Sequence, residues 1–497
     1  MTFTLGIDIG TFESKGVLVD AAGAIAVTAT RSHKMLVPQS GWAEHRPRDD
    51  WWGDFCFLSR KLLADSNISA TDIRAIGASA IGPCMLPVDA AGEPLMNAVL
   101  YGVDTRAFAE IAELTNAIGN HVLLERCGNT LTSQSVGPKI LWLKRNRPDI
   151  FHAAHKIIGA TTYLVHRLTG TMTVDHYTAA NSSPFYLVDD RDWSDQLTPG
   201  LVDLGLLPDL AWTTDIVGTV TSHAAEETGL ATGTPVITGT IDAAAEAISV
   251  GVQAPGDMML MYGSTMFMIL IAPGRVRDPR LWYAPWLFPG QHASMAGLAT
   301  SGTLTHWFRE QFARDLDPAV VFATLAAEAE ASPPGAKGLV LLPYFSGERT
   351  PIHDPEAKGL LFGLDLTHTR GDLYRALLEG IAYGTRHVFE AYREAGQHPK
   401  SIQAVGGGIR NRVWAQAISD VTQKRQTVRS KTVGAAYGDA LLAAVGAGFA
   451  KLTDIAAWNP ASFEIAPEPA NTEVYNNSYR TFRGLYDRNC DLMHRRI

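Results

Sequence analysis

The chain has 497 residues, and because one hydrophobic core rarely extends that far, the length predicts several domains. Apolar residues make up 46% and charged residues 19% of the sequence, which excludes a largely disordered chain. The net charge of −9 argues against a broad nucleic-acid-binding surface. Every uninterrupted apolar stretch is shorter than the roughly 18 residues that cross a bilayer. We therefore expect a cytoplasmic protein with no nucleic-acid or membrane partner.

The first predicted elements are strands. Apolar residues alternate with smaller or polar ones over residues 5–9, and a β-branched pattern resumes at Val17–Val19. A second turn at residues 21–23 leads into another strand over residues 24–30. We therefore predict a β-meander that opens a domain.

The turn between the first two strands, around Gly10 and Thr11, has two interpretations. In an ordinary hairpin, Thr11 and Ser14 bond to nearby backbone and Lys15 is solvated. In a phosphate cradle, the backbone amides, the two hydroxyls and the ammonium group bind an anion, and Asp8 can hold a metal ion. The turn alone does not decide between them.

Strand-like and helix-like segments alternate along the rest of the chain, which predicts an α/β protein. In chain order we predict a helix at 49–66, a pair of strands at 73–79 and 84–89 around Gly82-Pro83, a helix from 139 that ends near residue 148, mixed structure at 154–170, a strand, turn and helix at 235–251, two strands joined by a turn at 256–275, and a helix at 371–394. The strand–turn–strand segments at 4–20 and 259–272 resemble each other. We therefore predict two related domains, 1–250 and 251–497, that pack across a hinge.

Further turns of small residues have the composition of phosphate-binding loops. They are Gly239-Thr240, Gly263-Ser264-Thr265 and Gly406–Gly408, the last of which precedes a helix predicted to begin near Asn411. Amides and hydroxyls in such turns bind phosphates without a high net positive charge. Together these turns are typical of a nucleotide site between two domains.

Asp242 is the strongest candidate for a catalytic residue. It follows the Gly239-Thr240 turn at a predicted strand-to-helix junction, where a side chain can face a cleft. One role for it is the N-cap of the following helix. The other is a carboxylate that accepts a proton during catalysis.

A set of longer motifs supports the nucleotide-site and catalytic interpretations of these residues. In chain order the motifs are GIDIGTFESK, GWAEHRPRDDWW, LYGVDTRA, GPKILWLK, LTGTMTVDHYTAA, TGTIDAAAEA, LPYFSGERTPIHDP, KGLLFGLDLTHTRGDLYRALLEGIAYG and GGGIRNRVWAQAISD. In this content and order the sequence resembles the FGGY family of carbohydrate kinases, most closely its xylulokinase-like branch. The resemblance implies an α/β fold of two actin-like, ribonuclease-H-like domains that close around ATP and a small polyhydroxy substrate.

The resemblance also implies roles for individual residues. Asp8 matches the acid that positions Mg²⁺, and Asp242 matches the general base. The residues that match the ATP site are Thr11, Ser14 and Lys15 at the phosphates, Ser264 and Gly302 where the second domain approaches the nucleotide, and Gly407 and Asn411 in the adenosine pocket.

The sugar site departs from the family pattern. Gly82 and Pro83 stand where xylulokinases carry a Met-His pair, so a hydrogen-bond donor is lost there. Asp104 and Arg106 are further candidates for sugar binding because they resemble the family's acidic pocket motif, although a surface ion pair at a helix start would use the same residues. Three aromatic residues could stack on a sugar or belong to the core. They are Trp282, Tyr283 and Trp286.

Several functions are compatible with these residues. The first is ATP-dependent phosphorylation of a ketopentose-like sugar, and within this reading the substrate could instead be another polyol, a deoxy-ketose or an aldonate. The second is an actin- or chaperone-like ATPase without sugar kinase activity, and the third is a silent sugar-binding regulator. Fold alone does not separate these classes. The resemblance also suggests a homodimer.

Overall fold

The computed structural model describes residues 2–495. Residues 1, 496 and 497, at the outer ends of the two predicted domains, lie outside the described range. The strands up to residue 250 are β1 (Phe3–Ile9), β2 (Glu13–Asp20), β3 (Ile25–Ser32), β4 (Glu44–His45), β5 (Ile73–Ala80), β6 (Leu86–Val88), β7 (Ala98–Val99), β8 (Lys156–Ile158), β9 (Thr173–Asp175), β10 (Tyr186–Leu187), β11 (Asp192–Trp193), β12 (Asp209–Ala211), β13 (Ile216–Thr219), β14 (Pro235–Ile237) and β15 (Thr240–Ile241). The later strands are β16 (Asp257–Tyr262), β17 (Met266–Ala272), β18 (Trp282–Pro285), β19 (His292–Leu298), β20 (Val340–Leu342), β21 (Leu360–Phe362), β22 (Ser401–Val405), β23 (Gln426–Arg429) and β24 (Ala461–Ile465).

Helices cover both sheets. The α-helices are α1 (Gly53–Ser66), α2 (Phe108–Ile118), α3 (Asn120–Cys127), α4 (Val136–Asn146), α5 (Pro148–Ala153), α6 (Ala160–Thr169), α7 (His176–Ala179), α8 (Ser222–Thr228), α9 (Asp242–Ser249), α10 (Gly302–Phe312), α11 (Val321–Ala331), α12 (Arg370–Glu394), α13 (Arg412–Thr422), α14 (Ala435–Gly446), α15 (Ile455–Trp458) and α16 (Thr472–Met493). A π-helix spans Pro47–Trp52, and short 3-10 helices span Ala70–Asp72, Ala180–Ser182, Leu204–Leu206, Ala336–Gly338, Gly407–Arg410, Leu452–Asp454 and Pro469–Asn471.

The first main sheet has the strand order β13-β14-β5-β1-β2-β3, with β15 also paired to β5. Strands β1, β2 and β3 are antiparallel neighbours, which confirms the predicted meander. Strand β5 runs parallel to β1, so that Ser79 is the register partner of Asp8, and β15 sets Thr240 beside Ser79. The carboxyl ends of β1, β5 and β15 therefore meet at one edge, and Asp242 follows directly from that edge.

The second main sheet has the strand order β18-β19-β17-β16-β22-β23-β24. Strands β16, β17 and β19 are antiparallel, whereas β22 runs parallel to β16 and β23 parallel to β22. This arrangement repeats the pattern of the first sheet, in which three antiparallel strands are followed by parallel ones. The division of the chain at residue 250 stays a prediction.

Helix α14, from the later part of the chain, packs against β1, β5 and α9. The approach is close enough to require glycine on both sides. A Cβ on Gly6 would lie 1.9 Å from the Ala436 carbonyl oxygen, and a Cβ on Gly438 would lie 1.9 Å from that of Ala245. This contact carries Asp439 of α14 to the edge where Asp8 and Ser79 lie.

Most local predictions agree with the structure, including the helix that ends near residue 148, and the predicted pairing of two strands needs correction. Segments 73–79 and 84–89 are both extended, but β5 joins the main sheet whereas β6 pairs with β8. The predicted helix from residue 139 ends at Asn146, and Pro148 begins a new helix, because proline is tolerated in a first turn. Among residues 2–495, no helix combines the length and apolarity needed to cross a membrane.

Candidate active site

The turn between β1 and β2 is tight, since the Gly10 amide donates to the Glu13 carbonyl oxygen at 3.1 Å. Asp8 and Lys15 are register partners on the two strands, so their side chains lie on the same face of the hairpin. Lys15 Nζ is 3.4 Å from Glu13 Oε2. At the tip of the turn, Thr11 Oγ1 lies 3.1 Å from Tyr101 Oη.

Ser14 points the other way. It is fully buried, and its hydroxyl donates to Asp54 Oδ2 at 2.7 Å. Successive residues of a strand face opposite sides, so a strand that presents Lys15 on one face turns Ser14 into the layer beneath. The prediction that Ser14 contacts ATP phosphates is therefore corrected, because its side chain serves the packing between β2 and α1.

A group of carboxylates gathers at the sheet edge beside this turn. Ser79 donates to Asp439 Oδ2 at 2.7 Å and lies 3.4 Å from Asp8 Oδ1. Burial, together with the charges of Asp242 and Glu246, raises the pKa of Asp8 well above its ordinary value, while Lys15 acts in the opposite direction. Such like charges in a poorly solvated site favour a cation nearby.

The pKa of Asp242 is raised to about 7, mainly by burial and further by the charge of Glu246. Asp242 is the first residue of α9, and its Oδ1 accepts a hydrogen bond from the Ala243 amide at 2.6 Å. Burial likewise raises the pKa of Asp439, whose buried Oδ1 has no hydrogen-bond partner among the described residues. The predicted N-cap position is held by Ile241 instead.

The donor set fits a hard divalent cation. Mg²⁺ prefers oxygen ligands, keeps several waters and usually takes one or two carboxylates, and Asp8 with its neighbours supplies oxygen atoms only. Within residues 2–495, no three His, Cys, Asp or Glu side chains are grouped to hold a metal directly. This arrangement suits an ion held largely through water.

A cavity of about 260 Å³ opens between the two halves of the chain. The sequence-predicted residues that line it are Gly82, Pro83, Asp242, Trp282 and Tyr283. A Cβ on Gly82 would lie 2.8 Å from Ile241 Cγ1, so a larger residue there would require Ile241 to move. The third aromatic candidate, Trp286, is fully buried and packs edge-on against Tyr177, so it belongs to the core.

Asp104 and Arg106 do not line this cavity. Both side chains are completely buried, which also rules out a surface ion pair. The Arg106 guanidinium contacts Asp104 Oδ2 and Glu44 Oε1 at 2.8 Å each and stacks over Trp42. Asp104 Oδ2 also accepts the Ala43 amide. The prediction of direct sugar contact is corrected, because neither side chain lines the cavity. Instead, the two buried charges pair with each other, and Asp104 also accepts a hydrogen bond from a buried backbone amide.

The structure adds lining residues that the sequence did not single out. Arg349 reaches the cavity from the second half, within the Gly-Glu-Arg-Thr-Pro segment of a motif that had no assigned role. Polar groups from the first half also line it, namely Asn129, Thr130, Thr132, Gln134, Ser135, Asn181 and Ser183. Among these residues, only Arg349 lies within one of the motifs, because the others come from loops and helix ends that converge in the fold.

A second cavity, of about 590 Å³, lies within the second half. Its lining includes all four residues predicted there, namely Ser264, Gly302, Gly407 and Asn411. The Gly302 amide donates to the Gly263 carbonyl oxygen at 3.0 Å, and Asn411 caps α13 by accepting the Trp414 amide. Aromatic rings from Phe322 and Tyr374 also line the cavity. Its size and aromatic walls suit a nucleoside.

Two sheets of like topology, with one cavity between the halves and a second cavity nearby, define an actin-like two-domain α/β fold. The comparison with protein families is more specific. The model of the FGGY family of carbohydrate kinases matches with its N-terminal domain at residues 3–249 and with its C-terminal domain at residues 258–447. The chain belongs to this family and is an ATP-dependent, Mg²⁺-assisted sugar kinase.

Individual relatives match along their whole length. The xylulose kinase of Bacillus subtilis is 28% identical, with 99% of this chain and 98% of the relative covered. That of Escherichia coli is 29% identical, with 98% and 99% covered. The crystal structure of xylulose kinase from Rhodospirillum rubrum is similar at a TM-score of 0.92 and 32% identity, covering 99% of this chain and 100% of that one.

Proposed function

We propose that the protein phosphorylates a hydroxyl of a ketopentose-like sugar and that Asp242 is the general base. The observation that carries this proposal is the Asp242 carboxylate in the wall of the 260 Å³ cavity, with a pKa raised to about 7 by burial. A base with a pKa near the working pH is well matched to accept a proton from a hydroxyl. The full-length similarity to xylulose kinases supports the choice of sugar.

In the proposed step, the sugar oxygen attacks the γ-phosphorus in line while Asp242 takes the hydroxyl proton. The new oxygen–phosphorus bond forms as the bond to the bridging oxygen breaks, and ADP leaves with the electron pair. Asp242 then returns the proton to solvent. Asp8 holds Mg²⁺ in this proposal, and the bound ion offsets negative charge on the phosphate oxygens.

The nucleotide is proposed to extend from the second cavity to the turn between β1 and β2. Thr11 and Lys15 take the phosphates at the hairpin turn, whereas Ser264 and Gly302 approach from the second half. Gly407 and Asn411 take the adenosine. Lys15 supplies positive charge to the transferring group, which carries dispersed negative charge in the transition state. Closure of the two halves would exclude water and suppress ATP hydrolysis.

A coupled ADP-release screen over ketoses, polyols, deoxy-ketoses and aldonates tests the substrate. Release with D-xylulose or another ketopentose, at a rate well above the sugar-free rate, is the expected result. The Gly82-Pro83 turn lacks the histidine donor of xylulokinases, and Arg349 adds a cation to the cavity wall, so polyols and aldonates form the comparison arms. Preference for either would replace the ketopentose assignment.

The same screen separates the competing classes. Sugar-independent ADP release would indicate an actin- or chaperone-like ATPase, and release with none of the compounds would favour a silent binding protein. The proposal also includes a cytoplasmic location, a homodimer and no nucleic-acid partner. Light scattering coupled to size-exclusion chromatography measures the oligomeric state directly, and a monomer would remove the homodimer from the proposal.

A further inference from the structure

Two histidines lie directly beneath the hairpin turn that is proposed to take the ATP phosphates. His33 Nε2 is 3.0 Å from the Gly10 carbonyl oxygen, and His45 Nε2 is 3.1 Å from the Thr11 carbonyl oxygen. Their rings meet edge to face, with centroids 4.9 Å apart. Consecutive carbonyls of the turn are therefore each held by one imidazole.

The partners of His33 define its protonation state. Its Nδ1 lies 2.8 Å from Asp54 Oδ2, and its Nε2 faces a carbonyl oxygen. Asp54 already accepts the Ser14 hydroxyl and lies 3.1 Å from Arg31 Nε, so it acts as a carboxylate. Both ring nitrogens of His33 thus face acceptors, and only the doubly protonated ring donates at both positions.

His45 differs from its neighbour. The Trp51 indole N–H donates to His45 Nδ1 at 3.0 Å, so this nitrogen must carry a lone pair. His45 Nε2 then carries the only ring proton and donates it to the Thr11 carbonyl oxygen. Burial and the charge of His33 lower the pKa of His45 to about 4, consistent with a neutral ring.

The carbonyls decide where the amides of the turn point. A trans peptide unit is planar, with its C=O and N–H directed to opposite sides. When the Gly10 and Thr11 carbonyls point down to the two rings, the amides of Thr11 and Phe12 point away from them. Within residues 2–495, neither amide donates to a protein acceptor. Two adjacent free amides of this kind form an anion site.

We propose that charged His33 and neutral His45 are positioning residues that aim the Thr11 and Phe12 amides at the ATP phosphates. The charged groups that face His33 are Asp54 from α1, Asp50 from the π-helix and Arg31 from β3, with His45 from β4 as the neighbouring imidazole. Asp54 keeps His33 charged although the ring is buried. The inference rests on the proposed role of the turn in nucleotide binding.

The test compares MgATP with adenosine, because only MgATP carries the phosphates. Isothermal titration of wild type, His33→Gln and the matched exposed control His121→Gln gives the affinities. Glutamine at position 33 is neutral and cannot reproduce both charge-assisted bonds, so we expect MgATP to bind about tenfold or more weakly. Adenosine affinity should stay unchanged in both variants, and His121→Gln should bind MgATP within about twofold of wild type.

Nitrogen-15 NMR of histidine-labelled wild-type protein provides a second measurement, which reports the protonation state of each ring directly. The His33 signals, assigned by their loss in His33→Gln, should show two protonated ring nitrogens at pH 7.5, whereas His45 should show one. A neutral His33, or unchanged MgATP affinity in His33→Gln, would overturn the inference. If wild type binds no MgATP at all, the proposed nucleotide site fails first and the inference fails with it.

Discussion

The hydroxyl groups of Thr11 and Tyr101 lie 3.1 Å apart and join the β1–β2 turn to the wall of the cavity between the two halves. Tyr101 lines that cavity, whereas Thr11 sits at the tip of the β1–β2 hairpin. The Tyr101 backbone is held in turn by Lys139, whose Nζ donates to the Tyr101 carbonyl oxygen at 3.0 Å. In the proposed function, this contact links the sugar in the cavity directly to the β1–β2 turn.

Tyr101→Phe should lower kcat/KM for the sugar by about 2- to 10-fold, since one neutral hydrogen bond is lost. We also expect more ATP hydrolysis per sugar phosphorylated, because the turn is less firmly tied to the occupied cavity. Parallel assays of ADP and sugar phosphate measure both effects. Thr11→Ser keeps the hydroxyl and serves as the matched control; equal ADP-to-product ratios in wild type and Tyr101→Phe would contradict the coupling.

Asp242→Asn should reduce sugar phosphorylation by about 10²- to 10⁴-fold, because the amide cannot accept the hydroxyl proton. The side chain keeps its size, so MgATP affinity should change little. Stopped-time assays of sugar phosphate and titration with MgATP give the two values. Near-normal turnover in this variant would refute the role of Asp242 as the base.

The raised pKa of Asp242 sets the direction of two pH effects. A base works only when deprotonated, so kcat/KM should rise with pH through about 7 and fall below it. Between the unfolded value near 4 and about 7, the folded state holds a proton that the unfolded state has lost, so the Asp242 contribution to stability falls as pH rises.

Asp242→Asn removes the ionisable group and therefore the loss of stability that ionisation of the buried carboxylate causes. Thermal denaturation should therefore show the variant to be more stable than wild type at pH 8, with the difference shrinking toward pH 4. A pH-independent difference in Tm would show that the burial of this carboxylate is not what limits stability.

Gly6→Ala should destabilise the protein by at least about 1–3 kcal/mol, since overpacking a core forces backbone shifts. The added Cβ would lie 1.9 Å from the Ala436 carbonyl oxygen and would push α14 from the sheet. Gly484→Ala in α16 is the control, because its Cβ would meet nothing within 4 Å. Chemical denaturation of both variants measures the contrast, and equal midpoints would show that α14 has room to move.

Arg106→Ala should cost about 3–5 kcal/mol of stability, because it leaves the buried carboxylates of Asp104 and Glu44 without their cation. The KM for sugar of the folded fraction should stay close to that of wild type, since Arg106 does not line the cavity. The exposed Arg145, which pairs with Glu113, supplies the control substitution Arg145→Ala. A raised KM for sugar without loss of stability would support the direct sugar contact predicted from the sequence.

Sequence patterns predicted many of the local elements, because such elements depend on residues that are neighbours in the chain. Alternating apolar residues and small-residue turns predicted the β1–β3 meander, the 235–251 strand–turn–helix unit and helix α12. The motifs also brought Asp8 and Asp242 forward as candidates. Asp8 lies at the end of β1 and Asp242 directly follows β15, and parallel strands bring their carboxyl ends to a common edge.

Ser14 illustrates how far such patterns extend. Period-two alternation already separates Ser14 from Lys15, but it does not say which face is covered. That depends on α1, which arrives some 40 residues later and places Asp54 under Ser14. The sequence by itself determined the two faces of the strand, and only the tertiary structure decided which of them meets the cleft.

The same limit applies to the rest of the site. Asp104 and Arg106 form a charged pair in any reading of the sequence, yet their burial comes from Trp42, Glu44 and the helices around them. Asp439 reaches Ser79 from 360 residues away, carried by α14 across the boundary between the halves. Local residues determined the strands, turns and carboxylates; long-range packing decided which carboxylates share one poorly solvated edge, because charge and burial depend on distance in space rather than along the chain.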